Sequence, residues 1–259
     1  DNPELFWESI WHYFGIQSYS PYRCVLEDAS MPGAKWFPGS TLNYAEHVFR
    51  AASNDRPAIL FQSEILPEGK SISWAELKSQ VAAAASWLKR HGVQSGDRVA
   101  AYLPTIPEAT VAFLACCSMG AIWSSCSPDF GISSVLDRFR QINPKVLIAV
   151  DGYVYGGKRF SRMEELAGLA GGLPDLEHLV LVPYLEIRKD HDLPMAFTCW
   201  DEVVEDKEAS LSFVPLPFDH PIWVLYSSGT TGAPKAITHG HGGVLLEHYK
   251  YLAFHNDVH

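Results

Sequence analysis

No apolar run in this sequence approaches the ~20 residues needed to span a bilayer, which excludes a membrane-crossing helix. Basic residues are short too: 20 Lys and Arg stand against 30 Asp and Glu, a formal charge of -10. That balance excludes the broad basic surface of a nucleic-acid binder, although local fields leave room for a small anionic substrate. Cysteines number five, Cys24, Cys116, Cys117, Cys126 and Cys199, with no CxxC pair. An odd count without pairs argues against a disulfide framework and for reduced, mostly buried and inert thiols in a cytoplasmic enzyme. A cleavable leader is absent from the acidic, aromatic start "DNPELFWESIWHYFG", and so is an initiator methionine. The expectation is a piece of a longer chain. Internal repeats and low-complexity tracts are also lacking.

What is present is enough apolar residue to build a sizeable core, 47% of 259 positions. Residues 1–40 are rich in Trp, Tyr, Phe and Pro with little periodicity, and read as an irregular segment packed on the main domain, residues 41–259. "STLNYAEHVFRAA" starts a helix that Ser40 or Thr41 can cap. "PAILFQ" is β-prone, and "SWAELKSQVAAAASWLKRHGV" is a helix with serine at its start and Gly92 at its end. Alternation continues: "DRVAAYLP" strand, "IPEATVAFLACCSMG" helix, "AIWSSCS" strand, "SSVLDRFRQIN" helix, "KVLIAVDG" strand. Residues 173–217 are mixed, with "LEHLVLV" a strand and "FTCWDEVV" an edge strand or short helix. The pattern predicts an α/β fold, a parallel sheet covered by layers of helices. Ligands of such sheets gather beyond the carboxyl ends of the strands, which points to residues 104–108, 124–131 and 151–158.

The densest chemistry lies in "YSSGTTGAPKAITHGHGG", residues 226–243. "PIWVLY" before it is β-prone. "HGGVLLEHYKYLAFH" at its end is a helix candidate with Val244, Leu245, Tyr249 and Leu252 on one face. Gly229 and Gly232 permit positive φ and close backbone approach, so consecutive N–H groups can converge on an anion. Ser227, Ser228, Thr230 and Thr231 add hydroxyl donors, and Lys235 adds a mobile charge at the exit. This is the chemistry of a polyphosphate cradle, although a Gly/Ser/Thr run is also what a plain surface loop contains. Only two residues separate Gly229 and Gly232, and Pro234 precedes the lysine, so the stretch is not a Walker A loop.

"SSGTTGAPK" matches every fixed position of [ST]-[ST]-G-[ST]-T-G-x-P-K and so resembles the adenylate-forming superfamily of acyl-CoA synthetases, luciferases and peptide-synthetase adenylation domains. "GDRVAAYLPTIPEATVAFLACCSMGAIWSSCSPDFG" looks like the segment those enzymes carry before their phosphate loop. Most members continue PKG where this chain reads PKA. "WFPGSTLNYAEH", "SSVLDRFRQINPKVL" and the stretch from PKA onward are most similar to the branch that activates acetoacetate. The resemblance implies two half-reactions with acetoacetate, ATP and coenzyme A as small-molecule substrates and Mg2+ as the accompanying ion. A carboxylate attacks the α-phosphorus of ATP, releasing pyrophosphate; the thiol of coenzyme A then displaces AMP. It also implies that Thr230 and Thr231 contact the β- and γ-phosphates while Lys235 steadies the loop or the pyrophosphate, so that Thr231 and Lys235 are the catalytic candidates. The adenine motif, ribose-binding aspartate and C-terminal domain of such enzymes lie downstream of the phosphate loop, so that domain is an expected partner.

Two other stretches were weighed. The histidines of "HGHGG" with His248, His255 and His259 lack the carboxylate or cysteine that would complete a zinc pattern, so no metal site is expected. "VDGYVYGGKR" is a solvated charged turn or a second anion loop. In acetyl-CoA synthetases a similarly placed segment meets the phosphates of coenzyme A. Lys158 and Arg159 are the counterparts, with Tyr155 near where an arginine is expected.

Overall fold

The computed structural model describes residues 2–186, 193–227, 232 and 234–258. Seven strands form the central sheet: β1 (Arg98–Tyr102), β2 (Ile122–Cys126), β3 (Val146–Val150), β4 (His178–Val182), β5 (Phe197–Cys199), β6 (Pro221–Ser227) and β7 (Lys235–Gly240). Their spatial order is β5-β4-β3-β1-β2-β6-β7, parallel throughout except for the final antiparallel pair β6–β7. The expected α/β architecture is therefore present.

Among the described residues eight helices accompany the sheet: α1 (Pro3–Tyr13), α2 (Tyr44–Phe49), α3 (Trp74–Arg90), α4 (Pro107–Met119), α5 (Ile132–Phe139), α6 (Met163–Gly172), α7 (Trp200–Val203) and α8 (His241–Asn256). The period-two pleat divides the core between them. In β3, Val146, Ile148 and Val150 pack with α3 and α4. Leu147 and Ala149 pack on the opposite side with α5 and α6. Apolar on both faces, "VLIAV" is what a central parallel strand requires.

Local signals fix several ends. Ser73 and Glu76 form a reciprocal capping box, with Glu76 N to Ser73 Oγ at 3.2 Å and Ser73 N to Glu76 Oε2 at 2.7 Å. Gly120 closes α4 at φ +80, where a Cβ would lie 2.6 Å from Ser95 Oγ.

Other expectations are corrected. The residues expected to be irregular include α1, which Asn2 caps by accepting from Glu4 N and Leu5 N at 3.0 and 3.2 Å, with Pro3 opening the helix. Ile10 and Trp11 of α1 pack with Phe37, Phe218, Leu245 and Leu246, which ties the N-terminal segment to α8. Neither Ser40 nor Thr41 caps α2. Ser40 Oγ instead donates to Phe37 O, Thr41 Oγ1 pairs with Ser20, and the cap is Asn43, whose Oδ1 accepts from Ala45 N at 3.0 Å. On α8 the buried face is Val244, Leu245 and Leu246, while Leu252 remains 45% exposed. The stretch expected to be one edge strand or short helix is both, β5 running directly into α7.

Candidate functional site

The glycine-rich stretch leaves the carboxyl end of β6, as expected, but a strand rather than a helix follows it. Ser227 ends β6 and is the Cα partner of Lys235, which begins β7, so the stretch is the turn of a hairpin. Six residues of β7, from Lys235 to Gly240, separate it from α8. Ser227 is half-buried and Lys235 exposed. Gly232 is exposed, and a Cβ there would meet nothing within 4 Å. Ser228, Gly229, Thr230 and Thr231 lie outside the described residues.

Both stems of the hairpin are tied to the end of α5. Tyr226 Oη donates to Arg138 O at 2.9 Å, and Gln141 Nε2 donates to Pro234 O at 2.9 Å. The guanidinium carbon of Arg138 sits 5.1 Å from the Phe130 ring centre and 5.9 Å from that of Tyr226. Burial pushes the Tyr226 hydroxyl up to about 12, so it stays a donor at neutral pH. Nothing in the sequence pattern singles out Tyr226, Arg138 or Gln141, because their contacts span about ninety residues of chain.

The loops after β1, β2 and β3 share this edge of the sheet. Residues 128–130 are gripped by Tyr102 Oη, 2.8 Å from Pro128 O and 2.6 Å from Phe130 O, and by Arg162 Nε, 2.6 Å from Pro128 O. Behind them an apolar cleft of about 380 Å³ runs between Trp223 and Leu225 of β6, Trp123 of β2 and Phe113 of α4. At the start of α4, burial lifts the Glu108 carboxyl above its ordinary range.

After β3 a tight hairpin pairs Tyr155 with Lys158. Its turn is Gly156 (φ +59) and Gly157 (φ +74), and the amides of both donate to Glu64, at 2.9 and 2.6 Å. This turn does hold an anion, but one from the same chain. Lys158 and Arg159 are exposed, and Arg159 Nη2 donates to Leu185 O at 2.6 Å. In the central sheet, β1 and β2 lie between β3, which leads into this hairpin, and β6.

The histidines near the glycine turn have structural partners. Trp223 Nε1 donates to His239 Nδ1 at 3.0 Å, Tyr44 Oη bonds His248 Nδ1 at 2.9 Å, and Tyr44 N donates to His241 Nδ1 at 3.3 Å. Among the described residues no three His, Cys, Asp or Glu side chains gather as a metal cage. Cys24, Cys116, Cys117 and Cys126 carry free thiols. Burial pushes the Cys116 and Cys117 thiols up, and that of Cys126 to about 11, which makes the three poor nucleophiles. Among the described residues no helix is long and apolar enough to cross a membrane.

Comparisons with known proteins agree with this geometry along the whole chain. The sequence model of a family described as AMP-binding enzyme matches residues 46–258, and one described as acetyl-coenzyme A synthetase N-terminus matches residues 1–48. Acetoacetyl-CoA synthetase of Macaca fascicularis is 41% identical over 98% of this chain and 39% of its own length. That of Danio rerio is 40% identical over 100% of this chain and 40% of its own. The solved structure of acetoacetyl-CoA synthetase from Streptomyces lividans superposes with a TM-score of 0.93 at 47% identity, covering 99% of this chain and 39% of that one. The chain thus spans about two fifths of the length of the relatives it matches.

Proposed function

The chain belongs to the AMP-binding enzyme family, and from that premise we propose that it forms the phosphate-binding part of an ATP-dependent acid–CoA ligase that uses acetoacetate. The observation that carries this reading is the position of "SSGTTGAPK", at the carboxyl end of β6 in a sheet that superposes on an acetoacetyl-CoA synthetase. Residues 41–259 act as the nucleotide-binding domain, with residues 1–40 packed on it. The remaining length of the relatives stands for a further, C-terminal part that completes the adenine, acyl and thiol sites.

In the first half-reaction an acetoacetate oxygen attacks the α-phosphorus of ATP and the bond to the β-phosphate oxygen breaks, giving acetoacetyl-AMP and pyrophosphate. Ser227, Ser228, Gly229, Thr230, Thr231 and Gly232 offer hydroxyls and amides to the phosphates, and Lys235 offers its ammonium to the departing pyrophosphate. Both steps place charge on phosphate oxygens, which is why donors and a cation serve here and no protein nucleophile is needed. The hydroxyl-rich turn fits Mg2+ that arrives on nucleotide oxygens, with a threonine hydroxyl as its protein contact. Such an ion neutralises phosphate charge when bound. In the second half-reaction the coenzyme A thiol attacks the acyl carbon and AMP leaves. Lys158 and Arg159, both exposed, are proposed as the counterparts that meet phosphates of coenzyme A. A cytoplasmic setting fits an odd count of cysteines with no CxxC pair.

The test is pyrophosphate release by the whole protein with Mg2+-ATP and a panel of short acids. Acetoacetate should give the highest kcat/KM. A higher value for acetate or propionate would reassign the acid. No release with any acid would leave a nucleotide-binding module without catalysis.

A further inference from the structure

The glycine hairpin is unevenly supported. Residues Lys235 to His239 of β7 are exposed, so this edge strand is held mainly by its ladder to β6. At the turn itself, support comes from the sheet face where α5 lies. Tyr226, the residue before Ser227, bonds the carbonyl of Arg138. Pro234, the residue before Lys235, accepts from Gln141, whose amide also donates to Asp137 O at 2.6 Å. The two anchored residues are therefore the next to last of one stem and the one that leads into the other, and both anchors come from residues 138–141, which straddle the end of α5.

We propose that the end of α5 is the positioning element of the phosphate turn, with Gln141 and Tyr226 setting the spacing of its two stems for the nucleotide. The inference rests on the nucleotide reading above. Ordering a loop costs conformational entropy, and binding that must also order its receptor is weakened by that cost. Fixing both stems beforehand reduces what the ligand has to organise. Gln141 and Tyr226 thus act through the turn and make no contact with the reacting atoms. Arg138 adds to the same anchor: its Nη1 donates to Ser134 O and Oγ, each at 2.6 Å, which holds the guanidinium near the rings of Phe130 and Tyr226.

Three substitutions in the whole protein test this. Gln141→Glu keeps the shape and loses the donor, Gln141→Lys keeps a donor, and Tyr226→Phe keeps the ring and loses the hydroxyl. Losing one hydrogen bond of ordinary net strength should raise the KM for ATP about fivefold in the pyrophosphate-releasing half-reaction. Gln141→Lys should stay near wild type. Thioester formation from preformed acetoacetyl-AMP should be unchanged in all three, whereas a merely structural defect would slow both halves. Hydrogen exchange of residues 228–234 should quicken in Gln141→Glu and Tyr226→Phe. A wild-type KM and wild-type exchange in those two variants, Gln141→Lys behaving like Gln141→Glu, or equal losses in both half-reactions would overturn the anchor. Wild-type protein that releases no pyrophosphate from ATP would overturn the nucleotide reading and this one with it.

Discussion

Ser227 and Lys235 are cross-strand partners, the last pair of the β6–β7 ladder before the chain enters the glycine turn. The pair puts a hydroxyl on one stem and an ammonium on the other. Lys235→Ala and Thr231→Ala should each slow adenylation roughly a hundredfold, the loss usual for one donor to developing charge. Lys235 is exposed, so the midpoint of urea unfolding should move by less than ~0.5 kcal/mol equivalent for its variant. Supplying preformed acetoacetyl-AMP should restore a normal thioester rate. If that rate falls as far as the overall one, the turn is structural and its phosphate role is lost.

Asn43 is fully buried and spends its whole side chain on backbone. Its Nδ2 donates to Cys117 O and Val214 O at 3.0 Å and to Ser118 O at 3.2 Å, linking α2 to the end of α4. Asn43→Ala should cost about 3 kcal/mol, since it strands buried carbonyls and removes a helix cap. Thr41→Ala should cost ~1 kcal/mol or less. Chemical denaturation of both variants decides the matter, and equal costs would return the cap to residue 41.

His241 is buried, and desolvation, helped by nearby His220, drives its imidazole down to about 3. Its folded pKa lies below the unfolded value near 6.5, so the native state binds fewer protons and stability falls as pH drops from about 6.5 toward 3. His47 and His248 are lowered by burial in the same direction. In His241→Asn an amide oxygen can still accept from Tyr44 N. That variant should lose up to ~1.4 kcal/mol per pH unit of acid sensitivity relative to wild type. Parallel stability–pH curves for the two proteins would contradict it.

Gly242 and Gly243 are adjacent in the first turn of α8 and should respond oppositely to alanine. A Cβ on Gly242 would run into the Phe218 ring, whereas one on Gly243 would meet nothing within 4 Å. Gly242→Ala should destabilise by ~2 kcal/mol or more through overpacking. Gly243→Ala should stabilise by ~0.5–1 kcal/mol through helix propensity. Thermal melts of the two variants should bracket the wild type.

Much of the fold was legible because its signals are local. Burial on both faces of "VLIAV", the Ser73–Glu76 box and the glycine after Met119 each act within a few residues. The first helix was missed: Asn2, Pro3 and Glu4 carry its cap signal, but the density of aromatics around them hides the helical period. Strand β7 was not. "KAITHG" alternates weakly and is exposed along most of its length, so only pairing with β6 makes it a strand. The family resemblance could be read from residue types alone, since "SSGTTGAPK" is specific. Its supports could not, because Gln141 reaches Pro234 across 93 positions. Asn43 was hidden for the same reason: two of its three carbonyl partners lie 74 and 75 residues away and the third 171.

That return strand also decides what kind of charge the turn can use. In many nucleotide folds a helix starts directly after the phosphate loop and directs its dipole at the anion. Here β7 carries the chain back along β6 until Gly240 pairs with Pro221, and only then does α8 begin. Six residues at ~3.3 Å each put the amino end of α8 about 20 Å from the turn, beyond the reach of a dipole that fades within one helical turn. For the proposed phosphate role the positive charge must therefore come from a side chain, and among the described residues of the hairpin Lys235 supplies it. An ammonium on an exposed edge is screened by salt more than a fixed dipole in a dry pocket, so the proposed phosphate affinity should fall as ionic strength rises.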